Sequence, residues 1–268
     1  MQSAAAKTAK ATNAAVQHGE IHLYTYFRSS CSARLRIALA LKGLPATYHY
    51  VNLLKGEQKQ SSYASLNPSQ SVPTLEVRFP EGGRSTIRIP QSIPALEYLD
   101  EAYPSSHPLL PPNLPENLQK RALIRTLCAV IASDTQPVTN LRILKRVRRL
   151  TTTSHPVDRN EVADTWGREL MLEGLRAYES ICSEAGGGAA GDGTAGAAGD
   201  GEGMFSVGNE ISMADVCLVP AVWGAQRLGV DLDQVPRVRS VFERLEKEDA
   251  VVRSHWRRQG DTPVELRG

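Results

Sequence analysis

Strand-forming sequence is confined to the first third of this 268-residue chain. Aromatic and β-branched residues mark strands over 21–27, 47–51, 71–77 and 86–89, and beyond them the apolar spacing is helical. The strand over 21–27 runs into Arg28-Ser29-Ser30-Cys31-Ser32, followed by a helix over 33–42 that closes at Gly43. The strand over 71–77 is entered through Pro73, and a hairpin turn at Glu81-Gly82-Gly83 leads to the strand over 86–89. Ser92 then reads as the N-cap of a helix, with Pro94 tolerated in its first turn and Leu96 and Leu99 on its buried stripe. The order is βαβ, then ββα. Helical spacing resumes over 120–131, 141–150, 162–182, 213–228 and 238–247. The expected organisation is an α/β domain over 20–103, a proline-rich linker over 104–115 and an all-helical domain over 116–268.

Two segments stand outside this pattern. Residues 1–19 are rich in Ala, carry Lys7 and Lys10, and contain neither an acidic residue nor an apolar stretch of the secretory kind. A disordered N-terminal extension is expected; the charge would also suit a mitochondrial presequence, although such peptides usually contain Arg and this one does not. Residues 186–203 hold nine of the chain's 21 glycines and no Pro, aromatic or branched aliphatic side chain. Such a stretch buries too little apolar surface to offset its backbone entropy, so it reads as a flexible loop. It lacks the lysine and the strand–helix frame of a phosphate cradle.

Composition narrows the partners. No apolar run approaches the roughly 18 residues of a membrane span. With 31 Lys+Arg against 29 Asp+Glu, the chain has no global field for nucleic acid or an anionic membrane. The basic run 142–149 places most of its charge opposite Leu141, Leu144, Val147 and Arg148, as a solvated face would; drawing in an anionic substrate is a second use for it. Four cysteines, at 31, 128, 182 and 217, are too scattered for a disulfide framework or a metal site. A reducing compartment, the cytoplasm, is expected, and no metal.

Chemistry concentrates at Ser29-Ser30-Cys31-Ser32. A helix start offers unpaired N–H groups and the positive end of the dipole, so hydroxyls and a thiol there can hold an anion such as a thiolate. Ordinary capping would explain the serines equally well. Cys31 is followed three residues on by Arg34, so no C-x-x-C exists and disulfide exchange is disfavoured. A cis Val72–Pro73 bond would leave the Val72 backbone free to pair with a peptide-like ligand, and Gln91-Ser92 repeats the helix-start device for a carboxylate. Ser212-Met213-Ala214-Asp215 fits a capping box, a structural role.

The run Leu23-Tyr24-Thr25-Tyr26-Phe27-Arg28-Ser29-Ser30-Cys31-Ser32, with Arg34 to Leu39, closely resembles the zeta class of glutathione transferases. So do Leu66-Asn67-Pro68, Ser71-Val72-Pro73-Thr74-Leu75, Gln91-Ser92 with Glu97-Tyr98-Leu99, Gln136-Pro137 with Asn140-Leu141, Ser212 to Asp215, Cys217 to Pro220, and Asp261 to Arg267. The resemblance implies a thioredoxin-like, glutathione-binding N-terminal domain and an all-α C-terminal domain that completes the substrate pocket. It implies Ser29 beside the glutathione sulfur, with Ser30 and Cys31 shaping the same catalytic pocket. Val72 would pair with the tripeptide backbone across cis Pro73, while Gln91 and Ser92 would hold its γ-glutamyl carboxylate. Gln136 and Arg227 match positions that approach ligand or substrate carboxylates. The implied reaction is glutathione-dependent cis–trans isomerisation of maleylacetoacetate to fumarylacetoacetate in tyrosine and phenylalanine catabolism, by a homodimer acting on a small dicarboxylate.

Three other uses of such a chain are distinguishable. Glutathione attack on an α-haloacid would make it a transferase or dehalogenase. A transferase fold kept as an interaction module would not need Ser29, Val72-Pro73 and Gln91-Ser92 together. A glutathione-disulfide reductase would depend on Cys31 rather than Ser29.

Overall fold

The computed structural model describes residues 19–80, 85–151, 158–187 and 203–267. The expected N-terminal extension, the turn at 81–83 and the glycine-rich loop lie outside these residues, apart from Gly19, Gly186, Gly187 and Gly203. The chain divides into two compact units: one runs to His107 and takes in the segment from Arg253 onward, and the other is Pro108–Val252.

The first unit is built on a four-stranded sheet in the order β2-β1-β3-β4. Its strands are β1 (Glu20–Thr25), β2 (Thr47–Tyr50), β3 (Thr74–Arg78) and β4 (Ile87–Ile89). β1 pairs parallel with β2 and antiparallel with β3, which pairs antiparallel with β4. Helix α1 (Ser30–Leu41) crosses between β1 and β2, a short turn α2 (Ser61–Ala64) precedes β3, and α3 (Ser92–Ala102) follows β4. The predicted βαβ–ββα order is therefore the observed one. Leu23, Leu35, Leu75, Leu96 and Leu99 are wholly buried, and α1 packs on α3.

Local signals explain the ends of α1. Ser29 is its N-cap, so the helix begins three residues before the expected 33. At its other end Gly43 takes φ +63°, with Gly43 N–H donating to Ala40 and Leu44 N–H to Leu39, the paired bonds of a Schellman cap. Lys42, although buried, is neutralised: its Nζ donates to Asp100 at 2.9 Å and to the carbonyls of Ser106 and His107.

Alternation along the strands gives the sheet a second, polar face. Glu76, on β3, accepts from Arg78 and from Arg88 at 2.9 Å, and His22 Nδ1 lies 2.9 Å from His49 Nε2. Burial, then the charge of Arg78, lowers both histidines below the ordinary 6.5. The neutral rings are thus favoured in the folded state. Their stabilisation is complete above 6.5 and lost as pH falls through the lowered folded values. Calorimetry from pH 7.5 downward is expected to show Tm beginning to fall just below that point, with a shallower slope in His49→Gln; equal slopes would remove the pair as the cause.

The second unit is helical. It comprises α4 (Leu118–Ala129), α5 (Gln136–Thr139), α6 (Leu141–Leu150), α7 (Arg159–Gly187), α8 (Met213–Arg227) and α9 (Pro236–Leu245). A last helix, α10 (Asp249–Ser254), carries the chain back to the first unit. Between α4 and α5 the expected helix over 120–131 gives way to a π-helical turn, Val130–Thr135. Thr135 Oγ donates back to the Val130 carbonyl at 2.7 Å, and Gly174 on α7 makes the room: a Cβ there would lie 2.0 Å from Thr135 Oγ. The capping box at Ser212 and Asp215 forms as read, at the start of a helix buried along most of its length. On α6, Leu144 is buried and Arg148 pairs with Asp164 at 2.7 Å, whereas Leu141, expected on the inner side, is 40% exposed.

The sequence reading placed 116–268 in one helical domain, but the described residues from Arg253 to Arg267 group with the first unit. The contacts that tie them there are long-range, and both apolar and polar: Trp256 and Leu266 pack against the cluster of Tyr26, Phe27, Val51, Tyr63 and Val72. Arg36 Nε donates to the Ser254 carbonyl, and the Asp261 carboxylate accepts from the Phe27 N–H at 2.9 Å.

Candidate active site

Register brings three chain segments to one end of the sheet. Tyr24 pairs with Thr74 and Leu75 with Ile89, so the end of β1, the start of β3 and the end of β4 are neighbours. The start of α1, the Val72–Pro73 peptide and the start of α3 therefore lie along one edge.

At the first of these, Ser29 Oγ accepts the Ser32 N–H at 3.1 Å, and the Ser29 carbonyl accepts from Ala33. The cap uses the hydroxyl as an acceptor only, which leaves its hydrogen for a ligand. Ser29, Ser30 and Cys31 are each partly exposed, and Cys31 is a free thiol. Ser32 is completely buried, so three of the four side chains read as anion-holding groups reach the surface.

The loop before Ser29 is gripped from both sides. Arg36, fully inside α1, donates to Thr25 Oγ at 3.0 Å and to the Tyr26 and Phe27 carbonyls. Burial brings its guanidinium down to about 10, still charged at neutral pH. Asp261 holds the Phe27 N–H; burial raises its carboxyl and that hydrogen bond opposes the rise. Trp256 packs near Phe27, with Arg28 and Arg257 over its ring at 5.9 and 5.0 Å.

The Val72–Pro73 peptide is cis. Val72 is buried with Tyr26, Phe27, Val51 and Tyr63, and its backbone N–H and C=O take no partner among the described residues. The loop around it is braced by Asn67, whose Nδ2 donates to the Ser71 carbonyl at 2.7 Å and to Thr74 Oγ at 3.1 Å. Tyr63 donates to the same carbonyl.

At α3 the expected cap moves by one residue. Gln91, exposed and extended at φ −147°, is the N-cap, and Ser92 is the first helical residue. Ser92 does not cap because its hydroxyl faces α1, where it accepts from Arg34 Nη1 at 2.8 Å. Gln136 and Arg227 belong to the other unit: Gln136 is buried at the start of α5, directly after the π-helical turn, and Arg227 is exposed in the last turn of α8.

Sequence reasoning quoted Arg34, Arg36, Asn67 and Asp261 only as part of the resemblance and gave them no role, and it passed over Tyr63. The first two had a usable signal, since they are charges inside an otherwise apolar helix whose neighbours Leu35, Ile37 and Leu39 are all buried. Among the described residues no three His, Cys, Asp or Glu side chains are grouped to hold a metal ion. No helix there is long and apolar enough to cross a membrane.

Residues 28–102 match the family profile of the glutathione S-transferase N-terminal domain. The chain is 51% identical over 248 residues to a maleylacetoacetate isomerase of Emericella nidulans, covering 92% of this chain and 96% of the relative. In structure it is similar to a maleylacetoacetate isomerase from Anaeromyxobacter dehalogenans solved with dicarboxyethyl glutathione and citrate in the active site. That likeness has a TM-score of 0.72 at 35% identity, over 91% of this chain and 94% of that one. A bacterial maleyl pyruvate isomerase described as a zeta-class glutathione S-transferase also has a TM-score of 0.72, at 31% identity over 90% of this chain and all of its own.

Proposed function

The chain belongs to the maleylacetoacetate isomerase family of zeta-class glutathione transferases, and from that we propose a division of labour among its residues in the glutathione-dependent isomerisation of maleylacetoacetate to fumarylacetoacetate. Bound glutathione supplies a thiolate whose reversible addition removes the double-bond character that blocks rotation, and it is released unchanged. The observation that carries the reading is the hydroxyl of Ser29, capping α1 as an acceptor with its hydrogen still to give.

The residues present fit such a tripeptide. Ser29 donates to the sulfur at the positive end of α1, while Ser30 and Cys31 line the same place. Val72 offers one backbone donor and one acceptor for the peptide, beside cis Pro73. Gln91 and Ser92 face the γ-glutamyl carboxylate. A thiol of pKa about 8.5 is only a few per cent ionised at pH 7. Lowering it by about two units corresponds to roughly 2.7 kcal/mol. One hydroxyl donor to a thiolate contributes about 1.5–3 kcal/mol and a helix terminus up to about 1. Those two groups are sufficient, so the chemistry needs no acid–base pair of carboxylates and no metal. Gln136 and Arg227 are assigned, on the resemblance, to carboxylates of ligand and substrate. Arg227→Ala is then expected to raise KM for the dicarboxylate more than it lowers kcat, and a pure kcat loss would contradict the assignment. A homodimer in the cytoplasm completes the proposal.

The test is a coupled assay with maleylacetoacetate, with and without glutathione. Turnover that requires glutathione supports the reading. Glutathione binding without turnover would favour haloacid chemistry at the same site, and no binding would leave an interaction module.

A further inference from the structure

Arg34 lies inside the first unit, 1% exposed, on the turn of α1 that follows Ser29-Ser30-Cys31. Its Nη1 donates to Ser92 Oγ at 2.8 Å. A guanidinium carries donors only, so the direction of this bond is fixed: Ser92 accepts, and its single hydroxyl hydrogen must go elsewhere. That hydrogen has no acceptor among the described residues, although Ser92 is 4% exposed. The N–H groups of Ser92 and Ile93 likewise take no acceptor there, and Pro94 has no N–H. The next N–H in the helix, from Ala95, is already bonded to the Gln91 carbonyl. Three donors thus meet at the start of α3, with a buried positive charge behind one of them.

We propose that Arg34 is a positioning residue for the γ-glutamyl carboxylate: by donating to Ser92 it makes that hydroxyl an obligate donor to the ligand and adds its own charge behind the bond. The proposal rests on the glutathione reading above. An ordinary serine hydroxyl can rotate and accept as readily as it donates. Here the guanidinium takes one of the oxygen's two lone pairs and turns the hydrogen away from α1, so a carboxylate meets a donor already oriented, and the two linked bonds polarise one another. Arg34 touches neither the sulfur nor the alkene, so its effect belongs in glutathione affinity rather than in the chemical step.

The experiment compares the affinities of glutathione and of 4-aminobutanoyl-cysteinylglycine, the same tripeptide with hydrogen in place of the γ-glutamyl carboxylate. The wild type is expected to bind the analogue about 10–100-fold more weakly. Arg34→Met, which keeps the aliphatic stem, is expected to narrow that gap to about threefold or less, while kcat at saturating glutathione stays within about twofold. Ser92→Ala should narrow the gap in the same way. If Arg34→Met weakens both tripeptides by one common factor, or leaves the wild-type gap in place, the residue is only a brace between α1 and α3 and the proposal is overturned. Should Arg34→Met fail to fold, Ser92→Ala still decides, because a wild-type gap in that variant leaves Arg34 nothing to act through. A wild-type protein that binds neither tripeptide would overturn the glutathione reading itself, which is a different outcome from either of these.

Discussion

Ser29→Ala is expected to lower kcat/KM for glutathione-dependent isomerisation by about 10–100-fold, the loss of one hydroxyl donor to a thiolate. The substitution also removes an N-cap, because Ser29 Oγ accepts the Ser32 N–H. That second effect costs about 0.5–2 kcal/mol of stability and is read separately, as a lower Tm. The pH dependence tells the two apart. Without the donor, the thiol of bound glutathione returns toward its free value of about 8.5, so the midpoint of the pH–rate profile moves up. Lost stability alone would leave that midpoint in place. Ser29→Thr keeps both cap and donor, and is expected to retain most of the rate. If instead Cys31→Ala abolishes activity while Ser29→Ala is within about twofold of wild type, the site runs on cysteine chemistry and the assignment of Ser29 is wrong.

Asp215→Ala is expected to be the most damaging single change to stability. The carboxylate is wholly buried and accepts three hydrogen bonds: from the Ser206 N–H at 2.9 Å, and from the Ser212 N–H and hydroxyl, each at 2.8 Å. Burial raises its carboxyl, and the bonds from Ser206 and Ser212 pull it back. Truncation would leave those donors buried with nothing to accept them, at about 1–3 kcal/mol for each that finds no substitute. A loss of about 3–5 kcal/mol corresponds to a Tm lower by roughly 10 °C in a chain of this size. Asp215→Asn, which keeps one acceptor oxygen, should lose about half as much. Specific activity of the folded fraction is expected to stay at the wild-type level in the cold. A kcat loss without a Tm change would move Asp215 from the core to the chemistry.

The architecture was open to sequence reading wherever neighbours in the chain carry the signal. The four strands, the helix after Ser29, the Gly43 stop and the Ser212–Asp215 box all depend on groups a few residues apart. So did the placing of Ser29, Val72-Pro73 and Ser92 at element ends, because strand ends and helix starts are local events. The errors have the opposite character. Ser92 was read as a cap since serine at a helix start usually is one, but a partner 58 residues away claims its oxygen. The chain end was read as part of the helical domain because the last legible element before it, over 238–247, has helical spacing. It belongs with the first unit because Asp261 reaches the Phe27 N–H across 234 positions and Arg36 reaches the Ser254 carbonyl across 218.

Periodicity and capping therefore dictate which elements this chain makes and in what order, since each depends on spacings of two to four residues that any segment carries within itself. Pairing of the buried arginines lies beyond that reach. Arg34 and Arg36 are two positions apart on one helix, yet one fastens α3 and the other the loop before Ser29. A buried cation must find acceptors wherever the fold brings them, and that follows from packing rather than from the residues beside it.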